Sequence, residues 1–234
     1  PAAAVQTQTL VQGMNHPWSM AWLPNGDMLV TEREGQLRRI DRNFRLDPKP
    51  IEGLPTDIEV SGQGGLFDVA LHPDHARNGW VYLSYAQRQS GGVSTALARA
   101  RLQGYRLVDW QPLFAMKPAS RGGRHFGGRI AFDRQGHVLL TLGDRGDEER
   151  AQRPRDHAGS VIRLHDDGRV PANNPFVNDP QQLPEVFSRG NRNIQGAAIH
   201  PQTGELWTHE HGPQGGDEIN IIRSGRNYGW PTIT

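Results

Sequence analysis

The chain has 234 residues, 35% hydrophobic and 22% charged, with a net charge of +1. That balance supports a buried core and excludes a compositionally disordered chain, a nucleic-acid footprint and an acidic tail, and no apolar run approaches the ~20 residues of a membrane span. There is no cysteine, which excludes a disulfide framework, thiolate metal sites and a cysteine nucleophile together.

The start, Pro1-Ala2-Ala3-Ala4, reads as a mature or trimmed N-terminus, without the charged and apolar regions of a signal peptide. Counts of 28 Gly and 17 Pro predict many turns. The first predicted element is a hairpin over Met20–Glu32, two apolar runs around the turn Pro24-Asn25-Gly26. A strand over Gln36–Ile40 follows. The pattern returns at Val69–Asp74, running through Gly79 into Trp80–Tyr85, with a further strand at Thr95–Leu102. It returns at Ile130–Thr141 and again at Ala197–Thr208. The equivalent alanines 21, 70, 131 and 198 are spaced 49, 61 and 67 residues apart. Hairpins at such a period predict propeller blades, each a four-stranded antiparallel sheet stacked on its neighbours around a channel. A β-sandwich is the alternative, but it leaves the recurring unit unexplained. Asp144–Asn178 is polar and aperiodic and is predicted to be a long loop over one mouth of the channel.

Three hairpins are entered through glycine-flanked polar residues: Gln63 in S-G-Q-G-G-L, His125 in R-H-F-G-G-R, and Arg192-Asn193 in G-N-R-N-I-Q-G. In a radial arrangement these converge on one channel mouth, which points to a small-molecule site. His125 there suits a general base near neutral pH; a structural strand cap is the other reading. Arg192 offers a planar cationic fork for an anion. Downstream, Glu210, Asp217 and Glu218 offer hard oxygen ligands around the turn Gly212-Pro213-Gln214-Gly215-Gly216, a set that suits Ca²⁺ or else is a solvated acidic loop. His209 and His211 share a strand face, a weak signal for zinc without a third ligand. No G-x-S-x-G elbow, H-E-x-x-H pair or Walker loop is present.

The motifs G-Q-G-G-L, R-H-F-G-G-R-I-A-F, L-G-D-R-G-D, R-G-N-R-N-I-Q-G, E-H-G-P-Q-G-G-D-E-I-N and N-Y-G-W-P, in this order, resemble the soluble PQQ-dependent aldose sugar dehydrogenases of the glucose/sorbosone dehydrogenase family. The resemblance spans nearly the whole chain and implies an all-β, six-bladed propeller. It implies oxidation of aldose sugars at C1 to the lactone with PQQ and Ca²⁺, an external electron acceptor, and a periplasmic or secreted location. By position, His125 resembles the catalytic base and Arg192 the group that stabilises the charge developing on the quinone oxygen, and Gln63, His125, Arg192 and Asn193 resemble PQQ contacts. Gly212 and Pro213 resemble carbonyl ligands of the Ca²⁺ that also holds PQQ. Glu218 and Tyr228 resemble ligands of a second, structural Ca²⁺. Arg124 stands where some members carry an acidic residue. Four blade units are visible, and six at this spacing need roughly 350 residues, so residues 1–234 are expected to be one propeller domain, incomplete at the C-terminus. Two rivals are a Ca²⁺-dependent propeller hydrolase of lactonase type and a non-catalytic binding module of the same fold. Retention of His125, Arg192 and Asn193 argues against the binding module.

Overall fold

Turn chemistry sets the architecture. Gly26, with φ 88°, closes the first hairpin by donating its N–H to the Leu23 carbonyl, and Gly136, with φ 82°, repeats the device against Asp133. Such backbone angles suit glycine, which has no Cβ to clash. The computed structural model describes residues 5–233; the reading of Pro1–Ala4 as a mature terminus lies outside the described residues.

Four antiparallel sheets follow one another along the chain. The first holds β1 (Pro17–Trp22), β2 (Met28–Glu32) and β3 (Gln36–Ile40). The second holds β4 (Leu66–Leu71), β5 (Trp80–Gln89), β6 (Gly92–Gln103) and β7 (Arg106–Ala115). The third holds β8 (Ile130–Phe132), β9 (Val138–Thr141), β10 (Val161–Leu164) and β11 (Val186–Ser188). The fourth holds β12 (Ile194–Ile199), β13 (Leu206–Glu210) and β14 (Glu218–Ile222). A four-residue helix, His75–Asn78, lies in the β4–β5 turn. Each sheet is a meander whose strand order follows the sequence. The repeated alanines hold one register: Ala21, Ala70, Ala131 and Ala198 pair with Leu29, Tyr82, Leu139 and Trp207.

Two expectations are corrected. The first and fourth sheets have three strands, not four. In the first, Asp47-Pro48-Lys49-Pro50 interrupts the segment beside β3, and only isolated bridges, Leu46 to Ile40 and Ile51 to Leu37, form there; proline has no N–H to give a ladder. In the fourth, the chain leaves β14 through Ser224-Gly225, and Asn227 bridges Arg189 instead. The supposed loop 144–178 also contains structure: a 3₁₀ helix at Glu148–Gln152 and the buried strand β10, paired to β9. Four residues are too few to register as periodic.

Apolar faces pack sheet on sheet. Leu29 and Leu37 of the first meet Leu66, Val69 and Leu83 of the second. Tyr82 and Leu97 meet Ile130 and Leu140 of the third. Leu139 and Val161 meet Ile194 and Leu206 of the fourth. The first strands touch in succession, β1 to β4, β4 to β8 and β8 to β12, so their entry loops gather at one end.

A hydroxyl joins each of the first three sheets to the next. Thr31 Oγ1 accepts from the Ser19 N–H in its own sheet and donates to the Phe67 carbonyl in the second. Ser84 accepts from Asp68 and donates to Gly128. Thr141 accepts from Arg129 and donates to Ile194. The three hydroxyls occupy one register position, opposite the residue two before the repeated alanine. In the fourth sheet His209 holds that position, paired with Gly196, on a face where Trp207 and Ile219 are exposed.

Candidate active site

The three glycine-flanked entries do meet. Gln63 Oε1 accepts the His125 N–H at 2.7 Å, and the Gln63 N–H donates to the Gly123 carbonyl at 2.7 Å. The Asn193 side-chain oxygen accepts from the Gly127 N–H at 3.2 Å and from Gln195 at 3.1 Å. The Arg192 carbonyl accepts the Asp144 N–H at 2.8 Å. Glycine makes the approach possible: a Cβ on Gly143 would stand 2.1 Å from the His125 carbonyl oxygen.

His125 is 9% exposed and has a left-handed backbone, φ 54°, an uncommon conformation for a residue with a side chain. Its Nδ1 lies 2.7 Å from Asp144 Oδ1. Asp144, 1% exposed, also accepts from the Gly146 N–H at 2.7 Å and from the Trp230 indole at 2.9 Å. Burial, the largest influence on Asp144, works against its charge, yet hydrogen bonds from His125, Gly146 and Trp230 together hold the carboxyl below its usual range. An ionised Asp144 fixes the His125 proton on Nδ1 and leaves Nε2 as the basic nitrogen. Nε2 makes no hydrogen bond among the described residues.

Beside this pair lies a cleft of about 460 Å³. Arg192, Trp230 and the residues Glu210–Gly216 form most of its wall. Arg192 Nη1 donates to the His211 carbonyl at 3.0 Å, and its guanidinium carbon lies 5.5 Å from the centre of a Trp230 ring. A second lobe of about 270 Å³ is lined by Gln63, Asn193, Gln195 and Arg33, with Trp18, Phe67 and Phe126 as an aromatic wall. His211 borders both lobes. Two guanidinium groups, the second lobe's three carboxamides and aromatic surface fit a planar polyanion such as PQQ.

The acidic turn lines this cleft. Gly212 is packed so closely that a Cβ would stand 2.1 Å from the Gly215 carbonyl oxygen, and its N–H donates to Asp217. Pro213 and Glu218 line the same cleft. Glu210 is buried, and its carboxylate accepts the backbone N–H groups of Arg192 and Asn193 and the Asn220 amide. Burial pushes the Glu210 carboxyl up to about 7, and the neighbouring Glu218 charge pushes the same way. No cationic side chain pairs with Glu210 or Glu218 among the described residues. Two carboxylates without a counter-charge beside a carbonyl-rich turn form a donor set that fits Ca²⁺. Tyr228 is placed differently from Glu218. Its ring packs against the buried cluster that holds Ile194, Leu206 and Ile222, and its hydroxyl donates to the Ile221 carbonyl and accepts the Arg223 N–H at the far end of β14. Neither His209 and His211 nor the acidic side chains of the turn form a cluster of three metal-ligating side chains among the described residues, so the turn's carbonyls would have to complete any cation shell.

Asp144, Trp230 and the clamping role of Glu210 escape sequence reasoning. Asp144 stood in view within L-G-D-R-G-D; its signal is an acidic residue just after a second strand, at the end where His125 enters.

The glucose/sorbosone dehydrogenase family model matches residues 14–234. An uncharacterized protein of Synechocystis is 44% identical over 98% of this chain and 60% of its own length. Aldose sugar dehydrogenase YliI of Escherichia coli is 40% identical over 99% of this chain and 63% of its own length. The PQQ-bound form of aldose sugar dehydrogenase from Streptomyces coelicolor superposes with a TM-score of 0.85 at 32% identity, covering 97% of this chain and 66% of that one. The chain thus spans about three-fifths of the length of the curated relatives it matches.

Proposed function

The chain belongs to the glucose/sorbosone dehydrogenase family, and from that premise we propose that the protein oxidises aldose sugars at C1 to the lactone, using PQQ and Ca²⁺. The observation that carries this reading is the Asp144–His125 pair, with Nδ1 engaged at 2.7 Å, at the meeting point of Gln63, Arg192 and Asn193. Asp144 holds the imidazole in one tautomer and orientation, and His125 Nε2 takes the C1 hydroxyl proton. Arg192, Gln63 and Asn193 would hold the anionic cofactor. The carbonyls of Gly212 and Pro213 would ligate its Ca²⁺, and the Glu218 carboxylate and the backbone carbonyl of Tyr228, not its engaged hydroxyl, a second, structural one. When bound, PQQ supplies the two-electron acceptor, which an external carrier reoxidises.

The likeness to PQQ-bound aldose sugar dehydrogenase supports the cofactor reading, and the four successive sheets support a six-bladed propeller with four blades in these residues. No helix among the described residues is long and apolar enough to cross a membrane, and we place the protein in the periplasm or outside the cell. The test is reconstitution of the full-length protein with PQQ and Ca²⁺, followed by dye reduction with a panel of aldoses. Sugar-dependent reduction that needs both additions is expected. Lactone hydrolysis without PQQ, or no sugar turnover, would overturn the reading.

A further inference from the structure

Arg145 has no place in the proposed reaction, yet its surroundings are built around the segment that carries His125. It is 2% exposed and has a left-handed backbone, φ 62°. Among the described residues no carboxylate forms a salt bridge with it; its Nη1 donates to the Arg124 carbonyl and its Nη2 to the Gly122 carbonyl. Its own N–H donates to the His125 carbonyl at 3.3 Å. The guanidinium carbon stands 3.4 Å from the centre of the Phe126 ring, a cation–π contact. Nε is buried without a partner. Burial pulls the guanidinium down to about 9, and the Arg150 charge adds to this.

Asp144 lends some charge from next door, but a buried cation without a salt-bridge partner is still costly, and an apolar side chain of similar volume would serve packing at less cost. What this cation matches is the chain facing it. One residue takes three carbonyls from the four-residue run Gly122–His125, and its guanidinium covers the ring of the residue after it. That run needs a template, because His125 holds φ 54° and a side-chain residue stays in such a conformation only when its surroundings fix it. Gln63 fixes the N–H of His125 and Asp144 fixes its ring; Arg145 fixes the carbonyl side. A lysine would supply a point charge but not the fork that spans two carbonyls.

We propose that Arg145 is a positioning residue that templates the 122–126 backbone and thereby aims the His125 imidazole. The inference rests on the reading of His125 as the base, so its test has a readout apart from turnover. In full-length protein without cofactor, the low-field NMR signal of the His125 Nδ1 proton shared with Asp144 is followed in Arg145→Ala and Arg145→Lys. The signal is expected to shift or vanish in Arg145→Ala and to be partly restored by added guanidinium ion. In reconstituted enzyme, kcat is expected to fall about 100-fold in Arg145→Ala and about tenfold in Arg145→Lys, as for a misplacement near 1 Å, while sugar KM and PQQ affinity stay within about threefold. Should Arg145→Ala not fold, Arg145→Lys decides by the same readouts. An unchanged ring-proton signal with kcat within threefold of the parent would overturn the proposal. A lost signal with unchanged turnover would uphold the templating role and refute His125 as the base.

Discussion

His125 and Asp144 divide one task, and their variants are expected to fail differently. In reconstituted full-length protein, His125→Ala is expected to keep PQQ binding and lose about 10²–10⁴-fold in kcat, the usual worth of general-base assistance; a kcat within threefold of the parent removes His125 from that role. Asp144→Asn keeps the side chain's shape but no longer favours the tautomer with the proton on Nδ1, so kcat is expected to fall with little change in sugar KM. The same carboxylate contributes to stability. Its folded pKa lies below the unfolded value, so its contribution is present above the ordinary carboxylate range near pH 4 and lost as pH falls through the folded value. Urea melts of parent and Asp144→Asn are therefore expected to differ at pH 7 and to converge below about pH 4. A gap that stays constant with pH would mean that Asp144 is not ionised in the fold.

At the scale of elements, the joint between sheets is a hydroxyl with two bonds. Ser84→Ala strips a partner from both the Asp68 N–H and the Gly128 carbonyl, and Thr141→Val does so for Arg129 and Ile194. Leaving such buried groups unpaired is expected to cost about 1–3 kcal/mol in each variant by urea unfolding; a loss below a few tenths would show that the joints contribute nothing net. The hairpins on either side of these joints were legible in the sequence because their turns carry Asn-Gly, Gln-Gly or Thr-Gly at the tip. Two outer strands, β7 and β11, were not. β7 carries Pro112 and a left-handed Asp109, and its register against β6 shifts twice, so its alternation is broken. β11 has three residues, too few for a pattern. In the site, the glycine-flanked polar residues were legible because a tight entry demands glycine. Asp144, Glu210 and Arg145 were not, because their roles lie in whom they touch across 18 to 23 residues of chain.

Over the whole molecule, the first strands gather the entry loops at one end, and the two carboxylates without a counter-charge, Glu210 and Glu218, stand at the cleft there. The melting of the full-length protein should reveal whether a cation belongs at this end. Glu218 begins β14, exposed in the cleft, with one oxygen held by Asn220 at 2.9 Å. Oxygen ligands of mixed carboxylate and carbonyl type suit Ca²⁺ better than Mg²⁺, which demands tighter octahedral geometry. A cation that binds only the folded state stabilises it by mass action, about 2.7 kcal/mol at a hundredfold excess over Kd. The parent is therefore expected to melt higher in Ca²⁺ than in chelator. Glu218→Gln, which keeps the shape and the bond to Asn220 but removes the charge, is expected to erase most of that difference while melting close to the parent in chelator. If Glu218 were an ordinary strand-end carboxylate, the substitution would shift both melts equally. Equal shifts, or a parent melt indifferent to Ca²⁺, would end the assignment of Glu218 to a structural metal.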